Sequence, residues 1–468
     1  MSDLKKDIKE YDVVIIGAGP SGIQCAIQLQ NRGLKIALLD DCCKLGGQIY
    51  KNVQNNDTAE KRKLFQEDYY KGLELISKLD LGSIDYISNA SIWSINKSEV
   101  FYSCKNVSTK ISAKKIVIAS GAMERPFPVR GWTLPGVMGA TSAQIMLKES
   151  SIVKDDAVFV GTGPLFYYVI SQYIDAGAKI KAIIDTTPAK NYITSLKHLP
   201  KALLKVGYLI KGLGFLYKFR KHKIKMYKFV TDVKFEGDSS LFKSEETLKR
   251  VIFNDGTSIE TQTAFIHNGL SPNINLQLQA GCDYEFSPKT RTINITTNEF
   301  MESSVDNIFV IGDGKSVRGV DTATTEAKIA ATKILKDFNK IEEKIIENKF
   351  LAYSKELKSH SYIRDFLDAL YLPNTEFLSP KQDDVVVCRC EEVTFSAVKS
   401  SLKIDDKGLN SLKSFTRCGM GNCQGRFCGL TLLEIMSEKT NVSIEELNYL
   451  KIRSPIRPVR IEEMANIK

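Results

Sequence analysis

The chain has 468 residues, a length that supports about two to four domains with cores of their own and excludes a small disulfide-stapled module. Hydrophobic residues make up 43% and charged residues 26%, with only 30 Gly and 13 Pro, so neither a disordered nor a fibrous chain fits. The 65 Lys and Arg are interleaved with 55 Asp and Glu almost throughout, leaving +10, which argues against the concentrated basic face that nucleic-acid binding needs.

The opening MSDLKKDIKEYD is charged and has no apolar core segment or cleavage site, so no signal peptide is expected and the protein is placed in the cytoplasm. Tyr11 to Ile16 is a short β-branched run, followed by Gly17-Ala18-Gly19-Pro20-Ser21-Gly22 and a helical pattern from Ile23 to Arg32. A second strand, Leu34 to Leu39, ends at Asp40, 18 residues beyond Gly22. This is a complete dinucleotide-binding fingerprint: a tight turn at Gly17, backbone access at Gly19, close helix packing at Gly22, and an acid for the ribose hydroxyls. Pro20 and Ser21 start the helix whose N-terminus faces the pyrophosphate. Asp41 is the alternative ribose contact, and the adjacent Cys42 and Cys43 lack the spacing of a redox disulfide and read as loop residues.

Three later segments bear on the ligand. Gly46-Gly47-Gln48 follows the ribose acid, Ser120-Gly121-Ala122 follows a strand at Lys115–Ala119, and Gly312-Asp313-Gly314 follows the strand Asn307 to Ile311. In that order they resemble the two-dinucleotide-binding-domain flavoproteins of the glutathione-reductase type, an α/β fold, and make FAD the expected first ligand.

A second strand–turn–helix follows: Ala157 to Val160, then Gly161-Thr162-Gly163-Pro164-Leu165-Phe166, a helix to Ala176, and a strand ending at Asp185. Phe166 stands where the third glycine belongs, so it either pushes the helix from its strand or fills the pyrophosphate space. Gly161, Gly163 and Asp185 leave open an adenine-nucleotide site (ATP or NAD) or an empty remnant, and Asp185 opposes a 2′-phosphate. From Lys197 to Lys228, lysines alternate with Leu, Ile, Tyr and Phe. This stretch reads as a solvated helical face or as a partner or membrane-surface contact, the latter at the inner face of the membrane. No run reaches the about 18 apolar residues of a spanning helix. His198, His222, His267 and His360 form no nucleophile motif with Cys or acids, and read as surface or satisfied core histidines.

Five of the ten cysteines crowd into residues 388–428. Cys388-Arg389-Cys390 and Cys423-Gln424-Gly425-Arg426-Phe427-Cys428 bring four thiolates as two close pairs, suited to Zn²⁺ or a [2Fe–2S] core. A CxC pair with a CxxxxC pair departs from zinc-ribbon knuckles, and a flavin upstream gives a one-electron centre a purpose that zinc lacks. Cys388, Cys390, Cys423 and Cys428 are the expected ligands, and spacing alone leaves Cys418 as a fifth candidate.

The blocks Gly17–Gly22, Gly46-Gly47-Gln48-Ile49-Tyr50, Gly121-Ala122-Met123-Glu124-Arg125-Pro126, Gly131-Trp132-Thr133-Leu134-Pro135-Gly136-Val137 and the Cys388–Cys428 segment together resemble the α (A) subunits of heteromeric flavin dehydrogenases. That family includes opine oxidase, hydrogen cyanide synthase and dye-linked proline or hydroxyproline dehydrogenase. The resemblance covers nearly the whole chain and includes a C-terminal domain like bacterioferritin-associated ferredoxin. It implies an FAD- and [2Fe–2S]-containing electron-transfer subunit whose β partner, a sarcosine- or glycine-oxidase-like flavoprotein, oxidises an amino or imino acid, and a further small ferredoxin-like subunit would supply any second cluster. It also implies that the second fold can hold ATP.

The expected organisation is an FAD domain from residues 1–145 and 280–340, an inserted second nucleotide fold at 146–279, a helical linker at 341–379, a small α-rich iron–sulfur domain at 380–440 and a tail at 441–468 lying over another domain. No catalytic acid–base pair is recognisable. The rival readings are a self-contained NAD(P)H-dependent reductase and a scaffold with vestigial sites.

Overall fold

The computed structural model describes residues 8–238, 246–402 and 408–467. The first seven residues, part of the segment read for a signal peptide, lie outside them. The first sheet has seven strands in the order Asp85–Ile87, Ile36–Leu39, Lys9–Ile16, Val107–Ile118, Glu99–Cys104, Ser91–Asn96, with Ile308–Val310 also paired to Val107–Ile118. Lys9–Ile16 sits between two parallel neighbours, with Val13 opposite Ile36 on one side and Lys115 on the other. Val13, Val14 and Ile15 are wholly buried, which is why this strand reads as a continuous apolar run rather than an alternating one.

The second sheet is parallel throughout: Lys225–Tyr227, Ile180–Asp185, Ala157–Thr162, Ala264–Asn268, Val137–Gly139. Its last strand corrects the expected boundary at residue 146, because Val137 pairs with Ala264. The chain leaves the first domain at Ala122–Glu124 and returns beside it at Leu270–Pro272, the two forming an antiparallel pair. A three-residue strand inside a Gly- and Pro-containing block carries no periodicity that could have assigned it to either sheet.

The helix Glu343–Leu370 is more than a linker. It packs along Val320–Asp337, and the Asn191 side chain of the second fold donates to Leu370 O (3.1 Å) and Leu372 O (2.9 Å) near its end. The C-terminal domain is a short hairpin, Val386–Cys388 with Val393–Thr394, and the helices Phe395–Ser401, Leu409–Thr416 and Cys428–Thr440. Its core of Leu412, Leu432, Ile435 and Met436 is continuous with the outer face of the first sheet, and Arg291 forks onto Glu434 across the junction. In the tail, Ile456 N donates to Trp93 O (3.0 Å) and Arg457 pairs with Asp41 (2.8 Å), both on the first domain. Among the described residues no helix is long and apolar enough to cross a membrane.

Candidate functional site

The first glycine turn is built by close approach. A Cβ on Gly17, whose φ is +106°, would stand 2.3 Å from Ala119 O, and one on Gly22 would stand 1.8 Å from Gly17 O, so the turn and the helix Pro20–Leu29 interlock through bare backbone. A Cβ on Gly19 would meet nothing closer than Gly47 Cα at 3.9 Å. The space in front of Gly19 is part of a cavity of about 1370 Å³. Asp40 is buried, and its carboxylate takes the N–H of Ala18 on one oxygen and of Cys42 (2.7 Å) on the other. Burial raises its pKa, partly offset by those two N–H groups. Each oxygen retains a lone pair for a hydroxyl.

Gly17, Gly19, Pro20, Ser21, Asp40, Asp41, Gly47, Gln48, Ser120, Gly121, Ala122 and Asp313 all line this cavity, whereas Gly22 and Gly312 stand behind it as packing positions. Asp313 Oδ1 accepts from Arg318 N (2.9 Å) and Gly319 N (3.1 Å), and burial raises its pKa. The cradle thus offers a helix N-terminus for a diphosphate, one acid at each end, and room for a ring system. The residues present fit FAD.

The second turn opens into the same cavity through Thr162, Gly163 and Pro164, but Gly161 and Asp185 do not reach it. A Cβ on Gly161 would lie 2.0 Å from His267 O. Asp185 is buried and already engaged by Tyr167 OH (2.8 Å) and Thr187 N (2.9 Å), and burial raises its pKa. Phe166 is fully buried, its ring 6.3 Å from that of Phe159 on the strand beneath. The ring is part of the core and does not line the cavity, so the second expected effect, filling the phosphate space, does not occur.

Sequence reasoning missed a set of buried polar groups on the cavity wall. His267 is a satisfied core histidine, as read, but its partner was not foreseen: Nδ1 pairs with Glu124 of the GAMERP block, whose other oxygen accepts from Thr141 N (2.9 Å). Arg125 is buried, donates to Thr290 O and Arg291 O, and its pKa is pushed down to about 10 by burial. Lys148 is buried, donates to Gln48 O (3.2 Å) and Ile49 O (2.8 Å), and burial pushes its pKa down to about 7. All four residues line the cavity. The only early signal for any of them was the GAMERP block itself.

The C-terminal domain gathers all five crowded cysteines. The Cys418 and Cys428 thiols donate to the Cys388 sulfur, which lowers its pKa and raises theirs, and Cys390 lies beside Cys423. Cys418 is wholly buried and in contact with Cys388, which keeps it a candidate. A set of four thiolates with Gly421 against Cys390 suits a [2Fe–2S] core as donor chemistry. Both cysteine pairs send their intervening residues into the cavity wall: Arg389 from the first, Arg426 and Phe427 from the second. Trp132 holds this junction, its Nε1 donating to Val386 O (2.8 Å) and its ring 5.4 Å from the Arg389 guanidinium.

Residues 11–327 match the pyridine nucleotide-disulphide oxidoreductase family, and residues 384–467 match the sarcosine oxidase A3 domain. The opine oxidase A subunit of Agrobacterium tumefaciens (strain Ach5) is 34% identical over 98% of this chain and 92% of its own. Hydrogen cyanide synthase subunit HcnB of Pseudomonas protegens is 26% identical over 95% of this chain and 96% of its own. The fold is also that of the L-proline dehydrogenase from P. horikoshii, with a TM-score of 0.73 at 22% identity over 98% of this chain and 81% of that one.

Proposed function

We propose, for a chain that belongs to the pyridine nucleotide-disulphide oxidoreductase family and within it to the opine oxidase A subunits, the role of electron-transfer subunit in a heteromeric amino- or imino-acid dehydrogenase. The chain is an FAD-dependent oxidoreductase subunit. Bound FAD supplies two-electron acceptance and a [2Fe–2S] cluster one-electron exit. The observation that carries the reading is the shared wall: the residues between the cysteines, Arg389, Arg426 and Phe427, border the cavity that the first glycine turn opens into.

In this reading Gly17, Gly19, Pro20 and Ser21 hold the pyrophosphate with Gly22 packing the helix behind them, Asp40 or Asp41 holds the adenosine ribose, and Asp313, backed by Gly312, the ribityl end. Gly47, Gln48, Ser120, Gly121 and Ala122 line the remainder. Cys388, Cys390, Cys423 and Cys428 hold the cluster, and the nearby arginines offset its negative charge. An adenine nucleotide in the second fold rests on the backbone at Gly163, since Asp185 is committed to Tyr167 and Thr187. Substrate oxidation falls to a β subunit of the sarcosine- or glycine-oxidase type, and a small ferredoxin-like protein is a further partner.

The test is flavin bleaching by proline, hydroxyproline, sarcosine, glycine and opines, with the chain alone and co-purified with its partner. Bleaching only in the complex, followed by a reduced-cluster paramagnetic signal, is expected. Rapid bleaching of the isolated chain by NADH would overturn the reading in favour of a self-contained reductase.

A further inference from the structure

One segment carries the whole of the chain's positive balance. From Thr186 to Thr231 there is no Asp or Glu, while ten Lys and Arg220 fall within it, against a net charge of +10 for all 468 residues. The same stretch is apolar outside: nearly half of the exposed large hydrophobic side chains among the described residues lie between Tyr192 and Phe229.

The helix Val206–Lys221 organises both features. Lys205, just before it, and Tyr208, Lys211 and Phe215 border the cavity; Lys211 pairs with Asp68 (2.8 Å) and Tyr208 OH donates to Asp321 (2.9 Å). Val206, Ile210, Leu213 and Tyr217, at the i, i+4, i+7, i+11 spacing of one helical stripe, point outward and are 50–70% exposed. Leu203 and Leu204 extend the ridge. Around it stand Lys197 and Lys201 on one side and Arg220, Lys221, Lys223 and Lys225 on the other, all exposed and none in an ion pair among the described residues.

We propose that this face seats the protein on an anionic lipid surface, the helix Val206–Lys221 lying in the plane of the headgroups with its apolar stripe below them and the flanking lysines among the phosphates. An apolar ridge rimmed by cations is what in-plane adsorption needs, since buried apolar area and attraction to anionic lipid add. A protein partner fits less well: protein interfaces are depleted in Lys and enriched in Arg, and here the ratio is ten to one. A second copy fits worst, because a two-fold interface would press one acid-free cationic face on another. The inference is independent of the proposed electron-transfer role.

The experiment is co-sedimentation of the full chain with vesicles of phosphatidylcholine alone or with roughly one-third phosphatidylglycerol. Binding to the anionic vesicles is expected, at least tenfold weaker with phosphatidylcholine alone and weakened by salt. Ile210→Asp with Leu213→Asp should reduce it at least tenfold while leaving flavin content and elution volume unchanged, and Lys221→Gln with Lys223→Gln and Lys225→Gln should reduce it without touching the apolar stripe. Equal affinity for both vesicles, no binding to either, or full binding by either variant overturns the proposal. So does a change in elution volume of the Asp variant without vesicles, which would assign the face to a protein interface.

Discussion

The two nucleotide folds of this chain share a strand–turn–helix frame and differ in what answers the acid at the end of the second strand. In both, burial raises the carboxyl pKa. Asp40 is answered by N–H groups of its own turn and faces the cavity, whereas Asp185 is answered by Tyr167 OH from the helix and lies away from it. A hydroxyl delivered by a core side chain does the work a ribose hydroxyl would otherwise do. The fold can therefore keep its frame while losing the reading of one ligand end, and the sequence motif survives because the backbone packing still needs it.

The sharpest way to break the comparison is to place the same side chain in both turns. Gly19→Val puts methyl groups into the space in front of the first turn, where a Cβ alone is tolerated, so the chain should fold while its flavin content falls at least tenfold, read by the absorbance ratio after purification. Tenfold is about 1.4 kcal/mol, a modest demand for a branched side chain against a pyrophosphate. Gly163→Val, at φ +116° in the second turn, strains the backbone and should lower the denaturation midpoint, while flavin per folded chain stays at the wild-type level.

Next in size is the cysteine series, which sets the flavin region against the C-terminal one. Serine at Cys388, Cys390, Cys423 or Cys428 should abolish the reduced-cluster signal and leave FAD bound. Cys418→Ser should retain about two iron and two sulfide per chain. Loss of the cluster in Cys418→Ser with retention in Cys423→Ser would reassign the ligand.

Tyr167→Phe tests the second fold directly. It strips a buried carboxylate of its hydroxyl donor, which should cost about 1–3 kcal/mol of stability, measured as a lower denaturation midpoint with flavin content unchanged.

How much of this was legible in the sequence follows from where each interaction comes from. The first turn could be read because Gly17, Gly19, Gly22 and Asp40 act through local spacing, and the buried strand Tyr11–Ile16 announces itself by continuous apolar residues. The engagement of Asp185 could not, because Tyr167 is 18 residues away on a helix whose rotation only packing fixes. Phe166 was legible as an exception but not in its direction. The second fold's start was misplaced because Val137–Gly139 is three residues long. The cysteine pairs were visible as spacing, whereas the approach of Arg389 and Phe427 to the cavity depends on a domain junction made by Trp132 and by Arg291 with Glu434.

The remaining prediction concerns the residue that ties the two regions together. Lys148 lies on the helix Ala140–Ser150, which leads into the second fold, yet its ammonium donates to the Gln48 and Ile49 carbonyls of the first. No carboxylate is hydrogen-bonded to it among the described residues, and the neighbouring Lys51 charge adds to the effect of burial, so its pKa falls to about 7 from 10.5. Between those values the native chain has released a proton that the unfolded chain still holds. The unfolded state then binds more protons, and this residue makes stability rise with pH from about 7 to about 10.5, by at most about 1.4 kcal/mol per pH unit. Below pH 7 both states are protonated and the burial cost is fully felt. Lys148→Met keeps an unbranched stem, one atom shorter, and removes the charge, so it should flatten this part of the profile and raise the denaturation midpoint at pH 6 more than at pH 9. An unchanged wild-type slope in the variant would show that the ammonium is held charged by its two carbonyls across the whole range, and that the junction between the folds is tied by a cation rather than by a neutral amine.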